Sequence, residues 1–218
     1  MKVSIILPVF NESAFMRVAL DSLNDQTIPF ELIVVDNGST DDSAQVARQY
    51  TPLVFSVPRG KLYAKQLGVI EASGDVVVFA DADVWYPPAF LETLTGHFND
   101  PNVIMAVGVV HYADAEPLQR LANKVRLWFL NFFFKYGGGP VTAYRRSAFL
   151  QAGGYNLAVD QFTISQMALE EEVGFHLRMT QLGGRVVYDP RAEAYHVRPR
   201  EFLCAQCPYA GESAVCQY

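Results

Sequence analysis

The chain has 218 residues, half of them hydrophobic and 18% charged, with a formal net charge of −6. That is enough apolar material for one substantial core, in a composition ordinary for a soluble globular protein. The acidic balance argues against nucleic acid as a principal partner, since a phosphate-tracking surface carries net positive charge, but it leaves room for a local site that takes a small phosphorylated ligand.

The N-terminal run MKVSIILPVFNE is too short for a secretion signal, and no stretch approaches the apolar length that spans a bilayer. A cytoplasmic protein is therefore expected. All three cysteines, Cys204, Cys207 and Cys216, fall near the C-terminus, so the body of the fold is expected to stand without disulfides.

Val3 to Leu7 reads as a buried strand ended by Pro8, and Asn11-Glu12-Ser13 as the start of a helix to Asn24. Glu31 to Val35 is a second strand, after which Ser39 or Thr40 is expected to cap a helix to Tyr50. Leu53 to Val57, Leu62 to Ala72 and Asp75 to Ala80 read as strand, helix and strand. Strands that are apolar on both faces, with helices between them, predict a mostly parallel sheet flanked by helices. Ligands of such sheets bind at the carboxyl ends of the strands. The polar clusters Asn11-Glu12, Asp36 to Asp42 and Asp81 to Asp83 all fall at such ends, so they are expected to form one site.

Val103 to Val110 is a further predicted strand, and Leu118 to Tyr136 a helix with Leu118, Leu121, Val125, Trp128, Phe129, Phe132 and Tyr136 at roughly helical spacing. Its charges are Arg120, Lys124, Arg126 and Lys135, with no acid. The pattern suits either packing on the sheet or peripheral contact with a membrane's inner face and its anionic headgroups. A glycine-rich turn follows, GGGPVTAYRRSAF, then a loop from Leu157 to Ser165, an acidic helix to Leu182, and one or two strands in RVVYDPRAEAYHV. We read a single domain over residues 1–200, with a nucleotide-binding half (1–115) and an acceptor and catalytic half (116–200). The irregular tail 201–218 holds the three cysteines, one ligand short of a zinc site.

The chemistry gathers at VVVFADADVWYPP. Two carboxylates one residue apart at a strand end form a hard-oxygen site suited to Mg2+ or Mn2+ shared with substrate phosphates. Such a cation would neutralise a departing diphosphate.

The order of segments resembles the family 2 glycosyltransferases of the GT-A fold. The likeness spans residues 1–197: VSIILPVFNE, LIVVDNGSTDDS, GKLYAKQLGV, the strand ending in DAD, GGGPVTAYRRSAF with LQAGGY, the acidic EEE, and GGRVVYDPRAEAYH. The resemblance implies a Rossmann-like α/β fold and a metal-dependent, inverting, non-processive sugar transfer. The donor would be a nucleoside diphosphate sugar, UDP-linked in the first instance and GDP-linked otherwise. The acceptor would be a hydroxyl of a glycan or a lipid-linked sugar.

It also implies site roles. Pro8, Phe10, Glu12 and Asp36 would hold base and ribose, where a carboxylate can accept from an imino N–H. Lys65 stands where the family pattern has arginine, and Gln66 where it has asparagine; Lys65 would meet phosphate as a point charge, with Arg59 beside it. Asp81 would lie by ribose and metal, and Asp83 would bind the cation, joined by His196 as an imidazole ligand. Gly138 and Gly139 would approach the donor sugar or acceptor, since no Cβ intervenes. Glu172, where the family pattern has aspartate, or Glu171 beside it, would be the catalytic base, its pKa raised by neighbouring glutamates. Two rivals are a catalytically silent relative serving as a binding module, and a sugar-nucleotide pyrophosphorylase, whose glycine-rich N-terminal phosphate loop PVFNESAF does not match.

Overall fold

In a computed structural model, residues 1–134, 141–157 and 165–197 are described, with the side chains of 131–134 and 165–171 left aside. Cys204, Cys207, Cys216, Gly138, Gly139 and the Glu171 side chain lie outside what is described.

Three parallel pairings build the first half of the sheet. Strand β1 (Val3–Val9) lies between β2 (Glu31–Asp36) and β4 (Val76–Phe79), and β3 (Val54–Ser56) adds to the far edge of β2. Along β1 the side chains alternate between two buried faces. Ile5, Leu7 and Val9 join the core under α1 (Met16–Asn24), α2 (Ser43–Ala47) and α4 (Phe90–Thr95). Ile6 joins the opposite core under α3 (Lys61–Glu71), α6 (Arg146–Gln151) and α7 (Ser165–Gln181). A strand covered on both sides is apolar with little alternation, as β1 and β4 are, and the one buried polar side chain of β1, Ser4, donates its hydroxyl to Glu31.

The sheet is mixed. Its order is β3-β2-β1-β4-β7-β6-β8-β5, where β7 (Thr142–Arg145) runs antiparallel between β4 and β6 (Val103–Tyr112). Strand β8 (Arg185–His196) pairs parallel with β6 and antiparallel with the short β5 (Val84–Trp85). The carboxyl end of β6 therefore faces the same way as those of β1, β2 and β4. The expected glycine-rich turn thus contains the inserted strand β7, and RVVYDPRAEAYHV forms one long strand with a register shift against Val107 to Val109. Gly108 sits in that shift, where a Cβ would meet the Ala192 carbonyl at 2.3 Å.

Two expected helices start late. Asn11 is left-handed (φ 53), and the amides of Asn11, Glu12 and Ser13 are taken by Ser39 Oγ, Ser43 Oγ and Asp41 Oδ2, so α1 begins only at Met16. Ser39 and Thr40 do not cap α2; Asp41 bonds Ser43 at its start instead. The side chains expected to cap a helix hold the β1 loop against the β2 loop. Helix α5 (Pro117–Phe134) runs as expected along β6 and β8.

Candidate functional site

Three strand-end loops, those after β1, β2 and β3, are bound into one rim. Pro8, which lacks an N–H, lies beyond the last β1–β4 pair, Ile6 with Phe79, so the two strands separate there. The Asn37 amide donates to Val9 O, the Val57 amide to Asp36 O, and the Gly60 amide to Asn37 Oδ1. Gly38 takes the left-handed turn (φ 79) that folds the β2 loop back. Asp36 is buried, with one carboxylate oxygen accepting from the Ser39 amide at 3.1 Å. Phe10 and Arg59 meet at the rim, the guanidinium 4.6 Å from the ring centroid. Pro8, Phe10, Glu12, Asp36 and Arg59 are thus brought to one edge.

Beyond β4 the chain turns through Asp81-Ala82-Asp83 into β5. The buried Tyr86 hydroxyl shapes this turn by accepting from the Asp81 amide at 2.8 Å, and its pKa is pushed well up by burial and the Asp81 charge. In the sequence Tyr86 stands only as a residue of VVVFADADVWYPP, with no role assigned to it. The β5–β8 pairing sets Val84 opposite His196, and the Val197 amide donates to Asp83 O. As a result His196 Nδ1 and Asp83 Oδ1 are 3.6 Å apart, both side chains partly exposed. A carboxylate and an imidazole this close make a donor set that fits a hard divalent cation whose other ligands are water and phosphate oxygens. Among the described residues no three His, Cys, Asp or Glu side chains form a closed cage.

Lys65, expected at the phosphates, is buried. Its side chain is 3% exposed, and its ammonium pairs with Glu172, which α7 brings in from the second half of the chain. The same ammonium lies over the ring of Phe79, the last residue of β4, 5.2 Å from the centroid. Gln66, the neighbouring departure from the family pattern, ties α3 to the chain beyond α6, its Oε1 accepting from the Tyr155 amide at 2.7 Å.

Glu172 also differs from the expectation of a raised pKa. Burial pushes its carboxyl up, but the charges of Lys65 and Lys61 and the Lys65 hydrogen bond outweigh that and hold it at about 2. One turn along α7, His176 is buried and meets the Tyr144 hydroxyl at 2.5 Å, and burial lowers its pKa to about 4. Phe175 beside it packs on Phe149 and Tyr155 at ring distances of 4.6 and 4.8 Å. These contacts root the α7 turn that carries Glu172. The sequence offered no signal for them beyond the helical spacing of Glu172, Phe175 and His176.

Solved structures show the same arrangement of sheet and helices. The mannosyltransferase PcManGT of Pyrobaculum calidifontis, in complex with GDP-Man and Mn2+, superposes with a TM-score of 0.73 at 22% identity, covering 92% of this chain and 58% of that one. Glucosyl-3-phosphoglycerate synthase of Mycobacterium tuberculosis, with Mn2+ and UDP-Glc, gives 0.64 at 21% identity over 91% of this chain and 72% of that one. The fold is that of the GT-A glycosyltransferases. Residues 4–153 match the model of Glycosyl transferase family 2, and the chain belongs to that family. A pre-mycofactocin glycosyltransferase of Mycobacterium tuberculosis is 26% identical over 97% of this chain, which spans about half that relative's length (47%).

Proposed function

We propose that the chain is a metal-dependent, inverting glycosyltransferase domain that moves a single sugar from a nucleoside diphosphate sugar to an acceptor hydroxyl. The observation that carries this is the convergence at the β4 end. The Lys65 ammonium that pairs with Glu172 lies over Phe79, the residue from which the chain runs on into the Asp81–Asp83 turn. The family and the nucleotide sugars held by the structural neighbours support the same reading.

In this reading Pro8, Phe10, Glu12 and Asp36 receive the nucleoside, Asp36 as an acceptor for an N–H or a ribose hydroxyl. Asp83 with His196 and Asp81 would hold Mg2+ or Mn2+, which when bound offsets the charge of the departing diphosphate. Glu172 takes the proton of the acceptor hydroxyl as its oxygen bonds to the anomeric carbon. The bond from that carbon to the diphosphate oxygen breaks on the opposite face, and the electron pair leaves with the nucleotide. Gly138, Gly139 and Glu171 keep their proposed places near the sugar and the base.

The test is release of UDP or GDP from UDP-glucose, UDP-GlcNAc and GDP-mannose with Mn2+, with water as acceptor. Turnover by the wild type and its loss, by about 100-fold or more, in Glu172→Gln is the expected result. Equal turnover in both would sink the base assignment. Absence of binding and turnover with every donor would favour a silent binding module.

We further propose that α5 makes the peripheral membrane contact. Its Leu118, Leu121, Val125, Trp128 and Phe129 are 49–76% exposed on one stripe. Among the described residues no helix is long and apolar enough to cross a membrane. An amphipathic helix lying in the interface would bring the site edge to a lipid-linked acceptor.

A further inference from the structure

We infer that Lys65 is a positioning residue for Glu172, its buried ammonium holding the carboxylate beside the end of β4, and that it is not a ligand of the donor phosphates. The inference rests on the reading of Glu172 as the base.

Lys65 has almost no route to a ligand at the surface, with 3% of its side chain exposed against 13% for Glu172. A buried ammonium persists only with a partner of opposite charge, and leaving either member alone would be costly. The aromatic face of Phe79 supplies the other side of the seat. Helix α3 has little freedom to swing Lys65 elsewhere. At Gly68 a Cβ would meet the Ile6 side chain at 2.3 Å, so the helix rests directly on β1, and Arg146 Nε also bonds Val69 O at 2.9 Å. On the other side, α7 is rooted by the Tyr144–His176 bond. The pair therefore joins two fixed helices from the two halves of the chain.

The titratable groups acting on Glu172 are Lys65 and Lys61 from α3 and His176 one turn along α7, where burial and the Lys65 charge outweigh the Glu172 charge and favour the neutral imidazole. With Lys65 in place the carboxylate stays ionised at any working pH, so a proton acceptor is always present. The cost is basicity. Such a carboxylate accepts a proton only late in the transfer, as the acceptor oxygen bonds to carbon and its own proton becomes acidic.

The first measurement is a pH titration of the Glu172 carboxyl by 13C NMR on glutamate-labelled full chain, assigned with Glu172→Gln. In Lys65→Met, burial acts without the opposing charge, and the midpoint is expected to rise by about two pH units. Calorimetric titration of UDP and GDP with Mn2+ on the same variant should give affinities within about threefold of wild type, because no phosphate contact is lost. An unmoved midpoint, or a loss of about tenfold or more in nucleotide affinity by a folded variant, would overturn the inference. Should Lys65→Met fail to fold, the neutral pair Lys65→Met with Glu172→Gln removes both buried charges together. Nucleotide affinity near wild type in that pair supports the inference, and a tenfold loss again overturns it. A Glu172→Gln enzyme that still turns over the donor would sink the base reading alone, since the carboxyl titration and nucleotide affinities do not depend on turnover.

Discussion

Asp83 Oδ1 and His196 Nδ1 stand 3.6 Å apart because β5 and β8, two strands far apart in the sequence, pair antiparallel with Val84 opposite His196. The pairing turns two separate sequence motifs into adjacent donors. If they hold the cation, Asp83→Ala should abolish the Mn2+-dependent part of UDP or GDP binding, seen by calorimetry with and without metal. His196→Ala should weaken it by about 10- to 100-fold, as expected for loss of a metal contact. Metal-dependent binding that survives in Asp83→Ala would move the cation away from this pair.

The Arg59 guanidinium over the Phe10 ring gives a second test. Arg59 is exposed, and a cation on an aromatic face at an exposed site contributes roughly 0.5–1 kcal/mol. Arg59→Ala should therefore leave thermal stability within a few degrees. If its charge meets the donor diphosphate, nucleotide affinity should fall by about tenfold at low salt and by less as salt rises. A salt-independent loss would point instead to a rearranged Phe10 loop.

The parallel half of the sheet was legible because β1, β2 and β4 are apolar without alternation and the intervening segments have helical spacing. Strand β7 was not. Thr142–Arg145 is four residues behind a glycine run, and its strand state comes from the slot between β4 and β6, which is not a local property. The polar clusters at the strand ends were legible as a site, since Asp36 and Asp81–Asp83 are costly there without a purpose. The partnership of Lys65 with Glu172 was not, although both positions stood out as departures from the family pattern. Read separately they suggested a weakened phosphate contact and a lengthened base. Only the packing of α3 and α7 on the same face of the sheet shows that the two departures meet.

Helix α5 separates two sources of membrane attraction. Of its basic residues, Arg120 donates to Ala113 O and Ala115 O and lies over Tyr195, and Lys124 pairs with Glu193. Arg120 and Lys124 are thus engaged on the protein, and the exposed Arg126 donates to Asn123 Oδ1 on the same helix, so the stripe from Leu118 to Phe129 is mainly apolar. Co-sedimentation with phosphatidylcholine vesicles should retain the chain, and adding anionic lipid should strengthen retention by only a few-fold. Trp128→Ser with Phe129→Ser should release it, each lost side chain reducing the buried apolar area. Retention that requires anionic lipid, or persists in the double variant, would place the contact elsewhere.

Glu31 gives a stability prediction with a definite sign. At the start of β2 its carboxylate accepts from Ser4 Oγ at 2.6 Å and from the Ser73 amide at 2.9 Å, binding the α3–β4 turn to the sheet. Burial pushes its pKa up, but the Ser4 and Ser73 hydrogen bonds and the Lys2 charge prevail and lower it to about 2. The folded state therefore binds the proton more weakly than the unfolded chain does. The stabilisation is complete above the ordinary glutamate range and is lost as pH falls from there through about 2. Glu31→Gln should cost about 1–2 kcal/mol at neutral pH, measured by urea unfolding. It should also flatten the decline of stability between about pH 4.5 and 2. A variant whose acid decline matches the wild type would show that other carboxylates govern unfolding in that window.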